Sequence, residues 1–243
     1  MSTVVLNHQK AKRPSVSANL RSSATESSDD YLKAILELSG VEKRQVSASD
    51  LAAALKISRA SVTKMLQKLS ATKPPLLIYE KHHGVRLAAA GAERALEIVR
   101  HHRLIETFLH QVLEYPWDEV HDEAERLEHF ISERFEERIA AKLNYPQFDP
   151  HGHPIPGLDG SFPASGSQSV AQMSVDTRGK VVSVSDRDPE MLRYLGAHGI
   201  TPGARLRLLE RLPFQGSYRV SIGTRKESVL LSEALADAIF VAV

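Results

Sequence analysis

Five prolines and four glycines crowd the stretch PQFDPHGHPIPGLDGSFPASGSQ, residues 146–168, and no regular helix or strand survives such a density of breakers. The chain is therefore cut in two. Before the cut, apolar residues recur with helical spacing; after it come short runs such as GKVVSVSD, ARLRLLERL, YRVSIG and ESVLLS, divided by Gly, Asp and Pro. We expect a mainly α N-terminal part, residues 151–167 as a linker, and a small, mostly β domain over 168–243 with a helical turn near 190–198. VAQMSVD is read as a further strand-like run.

The helical half divides again. Residues 1–25 are Ser/Thr/Ala-rich, carry four basic and no acidic groups, and read as a disordered arm. From Asp29, Tyr31, Leu32, Ile35, Leu36 and Leu38 form an apolar stripe that Gly40 stops. Ser47 fits the cap of a second helix over 48–55, and Ser58 the cap of a third, RASVTKMLQKLS, with Val62, Met65, Leu66 and Leu69 inward. Pro74 and Pro75 end it. Leu76–Glu80 and Val85–Ala88 then read as two strands joined by a turn at Lys81, His82, His83 and Gly84. Three helices and a basic hairpin make a winged helix-turn-helix over 26–96. Its recognition helix presents Ser58, Arg59, Ala60, Ser61, Thr63, Lys64 and Lys68 to DNA, while Lys81, His82 and His83 of the wing meet phosphate or the minor groove.

Residues 97–150 have a net charge of −7 and five of the eleven histidines. A long amphipathic helix is expected over 92–113, with more apolar surface than a small domain needs, which points to a two-fold dimer. Asp118 is placed as the cap of a helix over about 119–130, and 131–143 continues the helical pattern. On the first of these, His121, Glu125 and His129 fall at i, i+4 and i+8, with Glu128 alongside; His102 and Glu106 form an i, i+4 pair on the preceding helix. If the helices pack antiparallel, two adjacent cation sites are available, although an acidic helix is also commonly a solvated face. The chain has no cysteine, which excludes disulfides, thiolate zinc sites and cysteine nucleophiles. Oxygen and imidazole donors favour Mn²⁺ or Fe²⁺, with other divalent transition ions able to take their place. No apolar run spans a bilayer and no secretory signal is evident, so a cytoplasmic protein without membrane partners is expected. Nothing calls for a nucleotide or organic cofactor.

The stretches SSDDYLKAILEL, ISRASVTKMLQKL, HHRLIETFL, VHDEAERLEHFI and PIPGLD, in this order, resemble the diphtheria toxin repressor family of metal-dependent repressors over residues 26–243, and specifically its manganese-responsive branch. The resemblance implies a homodimer that binds double-stranded operator DNA, an SH3-like C-terminal domain, and control of manganese uptake. It places the ligands of the activating site on Asp30, Glu125, Glu128 and His129, and those of a neighbouring site on His102, Glu106 and His121. Iron-responsive relatives carry Met and Cys where Asp30 and Glu125 stand. A gap-free alignment adds Asp188 from the C-terminal domain and puts Met191 where a polar donor is expected; Asp186 or Glu190 takes that role if the register shifts. A further acid used by shorter relatives is Lys33 here. Three other readings remain open: an iron(II)-dependent repressor of the same fold, a di-metal carboxylate oxidase, and a DNA-binding protein indifferent to metal.

Overall fold

The computed structural model describes residues 26–40, 44–163, 166–213, 216–224 and 227–243, and resolves into two compact units. The expected arm, 1–25, lies outside the described residues. The first unit runs to Val99 and includes 156–161; the second holds 100–155 and 162–243.

In the first unit, α1 (Glu26–Ser39), α2 (Ala48–Ala54) and α3 (Arg59–Ser70) are followed by a hairpin, β1 (Leu77–Glu80) and β2 (Gly84–Leu87), and by the first part of α4 (Ala89–Leu113). Ser47 accepts a hydrogen bond from Asp50 N (3.0 Å) and Ser58 one from Ser61 N (3.1 Å), so both expected caps satisfy amides that the first helical turn leaves unpaired. Leu32, Ile35, Leu51, Val62, Leu66, Leu77 and Val85 form one core. The hairpin pairs Leu77 with Leu87 and Glu80 with Gly84, and Val46 bridges to Val85. The α4 helix starts three residues earlier than its apolar pattern suggests. Gly91 permits that start: a Cβ there would lie 1.9 Å from the Leu76 carbonyl oxygen.

In the second unit, the remainder of α4 is joined by α5 (Val120–Leu127) and α6 (Glu133–Lys142), and then by six antiparallel strands in the order β3-β8-β4-β5-β6-β7. These are β3 (Gln168–Ser169), β4 (Arg178–Val184), β5 (Arg205–Leu212), β6 (Ser217–Ile222), β7 (Ser228–Ser232) and β8 (Ile239–Ala242), with α7 (Pro189–Ala197) and α8 (Glu233–Asp237) between them. Val181, Leu192, Leu195, Leu206, Leu208, Val220 and Ile239 fill the core of the β domain.

Several expectations change. The helix expected over 119–130 ends at Leu127, with Glu128 as its cap residue, and Ser132 caps α6. Asp118 does not cap α5; it pairs with Arg193 on α7 at 3.0 Å. VAQMSVD forms a 3-10 turn at Val170–Gln172 rather than a strand. Residues 147–155, which overlap the expected linker, are folded into the second unit. Phe148 bridges to Pro154, Ile155 is buried, and the His151 carbonyl accepts from Val184 N on β4 at 3.0 Å. Gly152 makes this approach possible, since its φ is +86° and a Cβ would stand 1.9 Å from the Val182 oxygen.

Candidate metal centre and DNA-binding face

On α3 the residues proposed for DNA lie opposite the core. Ser58, Arg59, Ala60, Ser61, Lys64 and Lys68 are exposed and Thr63 is half-buried, its hydroxyl turned back onto the Arg59 carbonyl at 3.0 Å. Ser58 and Ser61 hydroxyls are 2.9 Å apart, which fixes the first turn. In the wing, Lys81, His82 and His83 are all exposed, and His82 adopts φ +71° in the turn. Asp30 stands half-buried on α1 beside Asp29, whose carboxylate is held by Arg94 through contacts of 2.9 and 2.7 Å.

The metal-type donors of the second unit converge on α4. Spacing of four residues puts His102 and Glu106 on one face, 3.0 Å apart, and both are buried. His121, from the start of α5, brings Nδ1 to 3.1 Å from His102 Nε2 and 3.3 Å from Glu106. Asp186, just after β4, completes the group at 3.8 Å from His121. One donor atom from each of these four lies within 4.8 Å of the others. The opposite ring nitrogen of His102 is 2.5 Å from Glu128 and 4.0 Å from Glu125. His102 thus joins a second acidic group, to which His129 is connected by a 3.6 Å approach to Glu128. Because α5 stops at Leu127, His121, Glu125 and His129 do not share one helical face as the i, i+4, i+8 spacing predicts; a turn carries His129 instead.

The expected ligand Asp188 is elsewhere. It is exposed and caps α7, accepting from Glu190 N and Met191 N at 2.9 and 3.2 Å. Met191 packs against the β-domain core, and Asp186 is the acid that faces the cluster. Three donors were also missed. Asp149, His151 and His153 form a group beside Asp186, with His153 Nδ1 3.3 Å from both Asp149 and Asp186, and His151 Nδ1 3.8 Å from Glu106. Their signal was the alternating D-P-H-G-H itself, hidden in a segment read as a linker.

Comparison with known proteins places this arrangement. Residues 23–85 match the family model for the iron dependent repressor N-terminal DNA binding domain, 88–157 the iron dependent repressor metal binding and dimerisation domain, and 168–243 the FeoA domain. The chain is 34% identical over 167 residues to the iron-dependent repressor IdeR of Mycobacterium bovis, covering 64% of this chain and 71% of the relative. It is 35% identical over 125 residues to the HTH-type transcriptional regulator MntR of Bacillus subtilis, covering 51% and 85%. A solved structure described as a manganese-dependent transcriptional repressor in complex with manganese shares 42% identity over 88% of this chain and 98% of its own, with a TM-score of 0.81. The chain belongs to the diphtheria toxin repressor family of metal-dependent repressors. Members are DNA-binding regulators rather than enzymes, so the oxidase reading is set aside; that chemistry also needs Glu-x-x-His motifs on two helices, which are missing from the sequence.

The family is metal-dependent, and the buried polar atoms of this chain fit a cation. Glu106 Oε2, Asp149 Oδ2 and His151 Nδ1 are buried with no hydrogen-bond partner among the described residues. His151 donates through Nε2 to the Trp117 carbonyl at 2.7 Å, so in its neutral form Nδ1 carries the lone pair toward Glu106. Burial opposes ionisation of Glu106, yet the charge and hydrogen bond of His102, with the hydrogen bond of His121, hold its carboxyl well below the usual range. Burial likewise opposes charge on Asp186 and His153, but their contact drives the Asp186 carboxyl down; His153, facing Asp149 and Asp186, is raised to about 10. These nitrogen and oxygen donors, with no thiolate, suit Mn²⁺ or Fe²⁺.

Behind the donors lies a buried support. Glu136 on α6 accepts from Arg100 Nε at 2.6 Å, and His101 spans the Glu136 carboxylate (2.9 Å) and the Glu128 carbonyl (3.1 Å). The backbone that carries Glu128 is thereby tied to α4 and α6. Burial raises the Glu136 carboxyl, but His101 and Arg100 outweigh it and bring it to about 2.

Proposed function

We propose that the protein is a manganese-dependent repressor that binds double-stranded operator DNA as a homodimer in the cytoplasm and controls manganese uptake. The observation that carries this reading is the acid-and-imidazole donor set at which His102 joins Glu125 and Glu128 to Glu106 and His121, together with 42% identity to a manganese-dependent repressor over nearly its whole length. In this proposal Glu125, Glu128 and His129, with Asp30 assigned by the sequence match, form the activating site. His102, Glu106, His121 and Asp186, with Asp149 and His151, form a neighbouring one, and the β domain is SH3-like.

Without a cation the clustered carboxylates repel each other; a divalent ion, when bound, supplies the positive charge that cancels this repulsion. The protein's own groups do the rest. His101 and Glu136 hold the Glu128 backbone, Trp117 orients His151, and the α3 face with Lys64 and Lys68 supplies phosphate contacts while Arg59 and Ser61 reach base edges. Leu127, Phe130 and Phe135 are exposed apolar side chains of the helical domain, which suits a two-fold interface.

The test is fluorescence anisotropy with a duplex selected from a random pool by the manganese-loaded protein, run with chelator, with Mn²⁺, and anaerobically with Fe²⁺. Activation by Mn²⁺ at a lower free concentration than Fe²⁺ is expected. The iron-dependent reading draws on the likeness to IdeR; preferential activation by Fe²⁺ would favour it instead.

A further inference from the structure

A second charged feature lies in the β domain and belongs to neither the metal centre nor the DNA-binding face. The register of β4 and β5 sets Arg178 directly opposite Arg207 and Lys180 directly opposite Arg205, while Gly179 pairs with the buried Leu206 between them. Strand alternation therefore gathers four cations on one sheet face. Like charges directly opposite destabilise a ladder, so the arrangement has no structural reason of its own. Among the described residues no acid lies within ion-pair distance of Arg178, Lys180 or Arg205. Arg207 pairs with Asp176 at 3.0 Å, an exposed and therefore weak contact, and its Nε is buried with no hydrogen-bond partner among the described residues. These four residues, with the hydroxyl-bearing Ser221 and Thr224 and the apolar Leu206 and Ala242, line an open cavity of about 640 Å³.

We infer that this cavity binds a small molecule carrying two or more phosphoryl groups. Its volume lies within the range of small-ligand sites, about 300–1,000 Å³. Two cross-strand cation pairs, about 5 Å across the ladder and about 7 Å apart along it, match a ligand whose negative charge is distributed over adjacent groups rather than a single carboxylate. Guanidinium forks grip phosphoryl oxygens two at a time, and the Ser221 and Thr224 hydroxyls offer neutral donors beside them.

The experiment is isothermal titration calorimetry of the metal-free full chain with sodium tripolyphosphate at constant ionic strength, with sulfate as the single-anion control. We expect saturable binding of one tripolyphosphate per chain, at least tenfold tighter than sulfate. The double variant Lys180→Gln/Arg205→Gln weakens it at least tenfold with an unchanged melting temperature and unchanged Mn²⁺ binding, and Lys180→Arg retains it. Arg178→Gln gives an independent loss should the double variant misfold. Non-saturable heats, equal affinity for sulfate, or variants that bind as tightly as the parent would overturn the proposal. So would variants that leave tripolyphosphate binding intact but reduce the salt dependence of binding to a random duplex, which would assign the face to DNA backbone.

Discussion

Glu106 shows at the scale of one residue how this centre is built. One carboxylate oxygen is shared among His102, His121 and His151, while the other is buried with no hydrogen-bond partner among the described residues. A buried ionised oxygen left in that state is costly, and a cation is the ligand that removes the cost. Asp30 and Glu125 are the residues whose replacement separates switch from fold, because neither is fully buried. Asp30→Ala and Glu125→Ala are each expected to retain the parent's circular dichroism and melting temperature while losing most of the Mn²⁺ stimulation of DNA binding, measured by anisotropy with and without chelator. Gly152 matters through geometry alone. Gly152→Ala forces a Cβ against the Val182 carbonyl at φ +86°, a conformation that costs a non-glycine residue about 1–3 kcal/mol before the clash is counted. Chemical denaturation should show a loss of at least that size, and equilibrium dialysis a reduced manganese stoichiometry, since the same loop carries His151 and His153.

Among the elements, α6 supports the metal centre without supplying a ligand. With the folded Glu136 carboxyl at about 2 against an ordinary 4.5, its ionisation stabilises the fold fully above pH 4.5, and that contribution disappears as the pH falls toward 2. The shift corresponds to about 3 kcal/mol. Glu136→Gln should therefore unfold more readily in urea at pH 7 by about 2–3 kcal/mol, with the difference shrinking as the pH is lowered to 3. Elements whose order is local were legible in the sequence. The helical period, Ser47, Ser58 and the Pro74–Pro75 stop located the helix-turn-helix and hairpin within a few residues, and the i, i+4 spacing identified His102 with Glu106. Segments ordered from a distance were not. The 147–155 loop looks like a linker because its Pro and Gly residues forbid regular structure, yet it is fixed by Val184 N, Val182 and Arg103, far away in sequence. The gap-free alignment puts a ligand on Asp188, whereas an Asp before a proline at a helix start is a cap, which leaves Asp186 to face the histidines. The last strand, β8, was missed because IFVA is a short apolar run with only a brief helical turn before it.

On the scale of the whole molecule, three matched regions assign DNA binding, metal binding with dimerisation, and a FeoA domain to successive parts of one chain. The net charge of +1 conceals that division, since the acidic excess is confined to residues 97–150, which hold His102, Glu106, His121, Glu125, Glu128 and His129. Phe130 is 71% exposed and Phe135 50%, large apolar surfaces that the proposed two-fold interface would cover. Phe130→Glu is expected to convert a dimer to a monomer in analytical ultracentrifugation while leaving helical content unchanged; a parent protein that sediments as a monomer at micromolar concentration would refute the dimer. Coupling between metal and DNA of the usual size, about 1–3 kcal/mol, corresponds to about a 5- to 150-fold change in affinity and must act equally in both directions. The most direct measurement is the dissociation constant of the selected operator duplex for the full chain and for Glu128→Gln, each in chelator and in saturating Mn²⁺. Tightening of the parent by Mn²⁺ within that range, lost in Glu128→Gln, is the predicted result; equal affinity of the parent with and without the ion would contradict it.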